Sequence, residues 1–133
     1  MTVPVNMLPQ RTPPQLLNIA RQGLNEAKAT RSDGMRYAAA HLAALRVAAA
    51  VVAARATAGP KDSRSRVPSI WSLLSSTAPE FSEWAECFAA GSTKRAAAEA
   101  GIPHMVTASE ADELVSAAER FLSVVEVALG VAR

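Results

Sequence analysis

Residues 35–57 read MRYAAAHLAALRVAAAVVAARAT, and this stretch decides the fold class. Alanine has the highest helix propensity of all residues and contributes little to the packing of a sheet. Half of the 133 residues are apolar, whereas aromatic residues make up only 5% of the chain. Because alanine rather than aromatic residues supplies much of the apolar fraction, helices can approach one another closely. We therefore predict an all-α protein.

Proline and glycine divide the rest of the chain into further helices. The first is predicted to begin at Pro13 or Pro14, where the missing N–H costs nothing, and to end near Thr30. A short helix over residues 70–76 is followed by a longer one over residues 79–100, which Gly91 interrupts. The last helix runs from about residue 109 to residue 129. Four longer helices and one short helix predict an up-and-down bundle, a single domain over residues 13–133 after a flexible N-terminal segment, residues 1–12.

Apolar periodicity indicates which face of each helix is buried. In the last helix one apolar arc contains Ala111, Leu114, Val115, Ala118, Phe121, Leu122, Val125 and Leu129. The aromatic residues Phe81, Trp84 and Phe88 lie at i, i+3 and i+7, which is typical of a core stripe. The predicted core face of the second helix contains Met35, Ala38, Leu42, Leu45, Ala49 and Val52. That face would leave Arg36 and Arg46 beside one edge, and Tyr37 and His41 beside the other.

The composition excludes several classes of protein. Cys87 is the only cysteine, and no Cys/His cluster has the spacing of metal ligands, so we expect neither a disulfide nor a metal or other cofactor. The N-terminus carries no apolar run of the signal-peptide type. The longest alanine-rich run, residues 47–54, is much shorter than the ~20 residues that span a bilayer. We therefore expect a soluble, cytoplasmic protein that does not contact a membrane.

The charges are distributed unevenly along the chain. Residues 1–66 contain ten Lys and Arg against three Asp and Glu, whereas residues 67–133 contain four against nine. This asymmetry has two interpretations: a basic surface for a polyanion, or complementary halves that attract within the bundle or across a dimer. In the loop AGPKDSRSRVP, residues 58–68, the side chains of Lys61, Arg64 and Arg66 are candidates for contacting a phosphate.

Three segments resemble one known family. RYAAAHLAALR (36–46), SIWSLLSSTAPEFSEWAECFAAG (69–91) and AAAEAG (96–101) are similar to a small, alanine-rich actinobacterial branch of the HEPN domains. The resemblance covers about residues 14–130. It implies a bundle of four to five helices that often forms a homodimer. Many HEPN domains are metal-independent ribonucleases, whose motif is an arginine followed by a polar residue and, four to six positions further on, a histidine.

Arg36 and His41 fit that spacing, but the pattern around them departs from the family's catalytic motif. Tyr37 stands where a polar residue is usual, and the pair lies in the second helix rather than a late one. On one helix, five residues turn the side chain direction by about 140°, so the two would need a second subunit to form a site. There His41 would be the general acid or base and Arg36 would stabilise the phosphorane. Otherwise His41 is a rim histidine bonded to a neighbouring helix.

These observations predict a homodimeric binding module without a standard catalytic motif. It would act through a protein partner or through the phosphate of RNA or a nucleotide, with Tyr37, Arg46, Lys61, Arg64 and Arg66 as candidate binding residues. The alternative is a metal-independent endoribonuclease that uses Arg36 and His41 across the dimer. A third possibility is a toxin- or antitoxin-like subunit whose basic first half binds an acidic protein.

Overall fold

The computed structural model describes residues 11–55 and 69–131, and all regular structure in these two ranges is helical. The helices are α1 (Pro13–Ala29), α2 (Asp33–Arg55), α3 (Ile70–Thr77), α4 (Ser82–Ala90), α5 (Ser92–Glu99) and α6 (Ala108–Leu129). A 3-10 turn, Pro79–Phe81, leads directly into α4. The predicted all-α fold is confirmed, and the interruption at Gly91 is confirmed as the boundary between α4 and α5.

Capping boxes fix the start of the first and last helices. The Thr12 hydroxyl accepts from the Gln15 N–H, while the Gln15 side chain accepts from the Thr12 N–H. Thr107 and Glu110 form the same reciprocal pair before α6. Thr107 has the extended backbone of an N-cap, and α6 begins at Ala108 directly after it.

Helix α2 is the centre of the bundle, and it packs against α1, α3, α5 and α6. Two ion pairs show that α1 and α6 run in opposite directions. Arg21 pairs with Glu126, and one heptad later in α1 Lys28 pairs with Glu119, one heptad earlier in α6. The predicted apolar arc of α6 is confirmed: it is buried except for Leu129, which is half-buried.

The predicted core face of α2 is wrong. Met35 and Leu42 are 53% and 41% exposed. Of the predicted face only Ala38 is buried, while Leu45 and Val52 are half-buried against the core. The buried residues of α2 are centred on a different side of the helix and are Tyr37, Ala38, Ala40, His41, Ala43, Ala44, Val47, Ala48, Ala50 and Val51. The prediction placed the largest aliphatic side chains inside, but the neighbouring helices approach α2 too closely for them and pack on alanine instead. As a result Tyr37 and His41 are core residues rather than rim residues.

An aromatic cluster fills the space between α3, α4 and α6. The Trp84 ring stacks on Phe88 and Phe121, with centroid distances of 6.2 and 5.3 Å. Trp71 also stacks on Phe88, at 5.5 Å, and its ring meets that of His41 edge to face at 5.8 Å. The prediction that the aromatic stripe of this region belongs to the core is confirmed.

Helix α2 is also long and apolar enough to cross a membrane, the one helix in residues 11–55 and 69–131 of which this is true. More than half of its most apolar window is buried inside the bundle. The core helix of a water-soluble protein has the same composition, so its hydropathy does not distinguish the two environments.

Candidate functional site

Arg36 holds the connection between α1 and α2. Its guanidinium donates to the carbonyl oxygens of Thr30 and Arg31, at 3.1 and 3.3 Å, just beyond the end of α1. It also donates to Asp33 Oδ1 at 2.8 Å and to Asp112 Oδ1 at 3.1 Å. Only 12% of the Arg36 side chain is exposed, and its hydrogen bonds link the end of α1, the start of α2 and α6.

His41 lies fully inside the bundle, at 0% exposure. Its Nε2 is 2.7 Å from the carbonyl oxygen of Phe88, so Nε2 carries the proton and donates it to α4. Nδ1 is buried and has no hydrogen-bond partner among the described residues. Burial lowers the pKa of His41, an effect that the hydrogen bond to Phe88 opposes and the charge of Arg95 reinforces. The imidazole is therefore neutral at neutral pH.

The two residues of the motif thus serve separate structural purposes. Arg36 anchors the α1–α2 connection, whereas His41 bonds to α4 in a position that solvent does not reach. A general acid or base must come within hydrogen-bond distance of the group that it protonates or deprotonates. His41 does not meet this condition in the folded subunit.

Tyr37 is brought next to His41 rather than next to Arg36. Both side chains pack on Gly91: a Cβ on that glycine would lie 2.6 Å from the Tyr37 hydroxyl and 3.3 Å from Cδ2 of His41. Burial raises the pKa of Tyr37, and the nearby thiol of Cys87 raises it further. The predicted binding residue Tyr37 is 6% exposed, and it is one of the residues that line a groove on the surface.

That groove, of about 920 Å³, lies between α4 and α6. Besides Tyr37 it is lined by Cys87, Ser109, Glu110, Asp112, Glu113, Leu114, Ser116, Ala117 and Arg120. Two of its three carboxylates are already paired, Glu110 with Lys94 and Asp112 with Arg36. This groove was not predicted from the sequence; the signal for it is the polar side of α6, whose residues form most of its lining.

The remaining candidate binding residues fall in two groups. Arg46 is half-buried on α2, and no carboxylate of residues 11–55 or 69–131 lies within ion-pair distance of it. Lys61, Arg64 and Arg66 lie outside the described residues. Whether any of these four side chains binds a ligand stays a prediction.

Part of the uneven charge distribution is neutralised by ion pairs within the bundle. Four basic residues of α1 and α2 pair with acidic residues of the second half of the chain: Arg21 with Glu126, Lys28 with Glu119, Arg36 with Asp112, and Arg55 with Glu80. The described residues as a whole contain ten Lys and Arg and eleven Asp and Glu. The second of the two interpretations, complementary halves that attract within the bundle, therefore accounts for much of the asymmetry.

The described residues contain no group of three or more His, Cys, Asp or Glu side chains that could hold a metal ion. Their polar groups are instead distributed over capping boxes, ion pairs and the walls of the groove between α4 and α6.

Comparison with known proteins gives one match. Residues 27–126 match the family model of the SAV_6107-like HEPN domains, which extends from the end of α1 almost to the end of α6. No curated protein and no solved structure matches the chain.

Proposed function

We propose, from the premise that this chain belongs to the HEPN family, that it is a homodimeric binding module and that it does not cleave RNA. The burial of His41 is the observation that carries the proposed absence of cleavage. In the alternative, a metal-independent endoribonuclease, the imidazole would have to exchange protons with a ribose hydroxyl or a leaving group. A fully buried imidazole that donates to the Phe88 carbonyl is not positioned for that exchange.

Arg36 supports the same conclusion. Stabilising a phosphorane requires a guanidinium whose N–H groups are aimed at the substrate before it binds. In this chain they are aimed at Thr30, Arg31, Asp33 and Asp112. Withdrawing Arg36 for catalysis would leave the end of α1 without these donors, which is a cost that a preorganised active site avoids.

The charges of the described surface favour a protein partner over RNA. An RNA-binding surface needs several lysines or arginines that are free to contact phosphates. Here four cations of α1 and α2 already have carboxylate partners. In the described part of the chain, Glu83, Glu86 and Glu113 are exposed and lack such partners, whereas Arg120 is an exposed cation on α6. The exposed charges of α4 and α6 are therefore negative on balance. We further propose that the module acts in the cytoplasm, since burial of α2 in the bundle accounts for its apolar composition.

An RNA cleavage assay tests the proposed absence of catalysis. Purified protein is incubated with end-labelled RNA in EDTA, beside the Arg36→Gln variant and a matched control, Arg31→Gln, which changes an exposed arginine of the same connection. We expect no cleavage by any of the three. Cleavage that Arg36→Gln abolishes, while Arg31→Gln and the wild type retain it, would overturn the proposal. Equal cleavage by all three proteins would indicate a contaminating nuclease. The nuclease is then removed by further purification, and the comparison is repeated.

Two binding measurements test the rest. Sedimentation equilibrium is expected to show a dimer, and a monomer at every concentration would contradict the homodimer. Fluorescence anisotropy with labelled RNA is expected to show weak binding that salt abolishes. Tight binding that is lost when Lys61, Arg64 and Arg66 are changed to glutamate would identify RNA, rather than a protein, as the ligand of the module.

A further inference from the structure

The groove between α4 and α6 begins where the aromatic cluster ends. That cluster joins the two helices at Phe121. The groove residues of α6 all precede Phe121 and extend from Ser109 to Arg120, about 16 Å along the helix axis. Tyr37 of α2 and Cys87 of α4 complete the lining. The groove is therefore about as long as an extended segment of five residues.

Tyr37 brings an unpartnered hydroxyl to this groove. The side chain is 6% exposed, and its hydroxyl has no hydrogen-bond partner among the described residues. Tyrosine hydroxyls that are buried in proteins usually have one. The nearby thiol of Cys87, which raises the pKa of Tyr37, lines the same groove. The protonated hydroxyl can both donate a hydrogen bond to a ligand and accept one from it.

The other polar groups of the groove are mostly acceptors. Glu110 and Asp112 already pair with cations of the bundle. Glu113 is exposed, and no cation of the described residues lies within ion-pair distance of it. The hydroxyls of Ser109 and Ser116 are further acceptors. A lining of this kind, with one unpaired negative charge, is complementary to an ammonium or guanidinium group, which donates several hydrogen bonds.

Arg120 places the opposite charge at the other end of the groove. It follows Glu113 by seven positions, so the two residues lie on the same side of α6, about 10 Å apart along the axis. Arg120 is exposed and has no carboxylate partner among the described residues. Its guanidinium only donates hydrogen bonds, and the main-chain carbonyls of a peptide accept them. A simple amine has no such acceptor, so the two charges together favour a peptide.

We propose that the groove between α4 and α6 binds an extended, basic segment of a partner protein. A lysine or arginine side chain of the segment pairs with Glu113, and the main chain of the segment bonds to Tyr37 and Arg120. The alkyl part of the basic side chain packs on Leu114 and Ala117, the apolar residues of the lining. This inference rests on the protein-binding role of the proposed function and gives that role a site.

Biolayer interferometry with peptide pools tests the preferred charge. Each pool contains pentapeptides with randomised flanking residues and one fixed central residue, which is lysine, arginine, leucine or glutamate. The full-length protein is titrated onto each immobilised pool at low salt. Half-saturation of the lysine and arginine pools is expected at a protein concentration about threefold below that of the leucine pool, as for an exposed ion pair. Half-saturation at the same concentration for all four pools would overturn the inference.

Two variants and a matched control place the binding in the groove. Glu113→Gln is expected to abolish the preference for the lysine pool over the leucine pool. Glu83→Gln removes another exposed carboxylate, which lies on α4 outside the groove, and should keep the preference. Tyr37→Phe should weaken the binding of every pool by about threefold to tenfold, because one hydrogen bond to the main chain is lost. Circular dichroism verifies that each variant keeps its helical content.

Cys87 provides a second readout in the unaltered protein. It is the only thiol of the chain, and it is exposed and lines the groove. Saturating amounts of the lysine pool should slow its alkylation by N-ethylmaleimide, whereas the glutamate pool should not. An unchanged rate would show that the peptides bind elsewhere and would contradict the proposed site. Protection by spermidine equal to that by the lysine pool would assign the groove to a small polyamine and overturn the peptide as its ligand.

The failure of this site and the failure of the proposed function are distinguishable. Peptide binding that Glu113→Gln and Tyr37→Phe leave unchanged overturns the site and leaves the protein-binding role intact. No binding of any pool, together with tight RNA binding in the anisotropy measurement, overturns both. No binding of any pool, together with weak RNA binding, overturns the site alone, since sedimentation and the RNA cleavage assay still test the dimer and the absence of catalysis.

Discussion

The hydroxyl of Tyr37 occupies the place where a side chain on Gly91 would begin. A Cβ built on Gly91 would lie 2.6 Å from this hydroxyl, well inside van der Waals contact. Gly91 has φ −84° and ψ −4°, values that any residue adopts. The absence of a side chain is therefore required by the close approach of α2 and not by the backbone. Gly91, at the boundary between α4 and α5, thus leaves room for the Tyr37 side chain of α2.

Gly91→Ala is expected to destabilise the protein by about 1 to 3 kcal/mol, the usual cost of overpacking a tight core. The sign of this change in the free energy of unfolding is informative. At helical φ a Gly→Ala substitution ordinarily stabilises a protein, because it reduces the conformational entropy of the unfolded chain. Urea denaturation followed by circular dichroism measures the change. In a Tyr37→Phe background the loss should shrink, because the clashing oxygen is gone. An undiminished loss would place the clash on His41 instead.

Gly23→Ala is the matched substitution with the opposite expected sign. Gly23 lies inside α1, and a Cβ there would be 3.8 Å from that of Ala43, an ordinary contact. The free energy of unfolding should rise by roughly 0.5 to 1 kcal/mol. A decrease would contradict the spacing of α1 and α2.

The stability of the protein should fall as the pH drops below about 6.5. Burial lowers the pKa of His41 in the folded state, so the unfolded chain takes up a proton first, at the ordinary histidine pKa. Stability is therefore complete above that pH and is lost below it, by up to about 1.4 kcal/mol per pH unit. Urea titrations between pH 5 and pH 8 measure the slope. His41→Gln should flatten it, although it also lowers the stability at every pH.

His104 provides the control for this experiment, since it lies exposed in the connection between α5 and α6. His104→Gln should leave the slope unchanged. Glu80 affects stability in a lower pH range. Hydrogen bonds from its own backbone N–H and from Arg55 lower the pKa of Glu80, so its ionisation changes the stability only below about pH 4.5. A slope that disappears in His104→Gln would refute the assignment to His41.

The sequence predicted α6 correctly and α2 incorrectly, for one physical reason. In α6 the apolar arc contains Leu, Val and Phe opposite charged residues, so periodicity distinguishes the two sides. In α2 alanine occurs on every side, and the large residues Met35 and Leu42 are on the outward side. Only the contacts with α1, α5 and α6 decide which alanines are buried, and these contacts are not encoded in the local pattern.

The candidate site shows the same limit. The five-residue spacing of Arg36 and His41 identified them as a candidate pair. It does not reveal that Asp112, 76 positions away in the chain, accepts a hydrogen bond from the Arg36 guanidinium. Nor does it reveal the contact between His41 and the carbonyl of Phe88. The charge asymmetry was visible in the sequence, whereas its use in ion pairs between α1 and α6 depends on the antiparallel packing of these two helices.

The ion pair of Arg21 with Glu126 should contribute more to stability than that of Lys28 with Glu119. Glu126 is 4% exposed, so Arg21→Ala removes the cation beside a buried carboxylate, with an expected loss on the order of 3 kcal/mol. Lys28 and Glu119 are 50% and 41% exposed, and Lys28→Ala should cost less than about 1 kcal/mol. Thermal denaturation of the two variants measures the difference. Equal losses would show that the stability of the buried Glu126 carboxylate does not depend on Arg21.

Tyr37 is the only tyrosine in the chain, so its ionisation can be followed by the ultraviolet absorbance of tyrosinate. Burial raises the pKa of Tyr37 above its ordinary value of 10.0, and Cys87 raises it further. The folded state therefore keeps its proton to higher pH than the unfolded chain, and stability is lost as the pH rises above about 10. Cys87→Ser should lower the midpoint only in part, because burial is the larger cause. A wild-type midpoint at the ordinary value would show that solvent reaches the hydroxyl and that Gly91 does not enclose it.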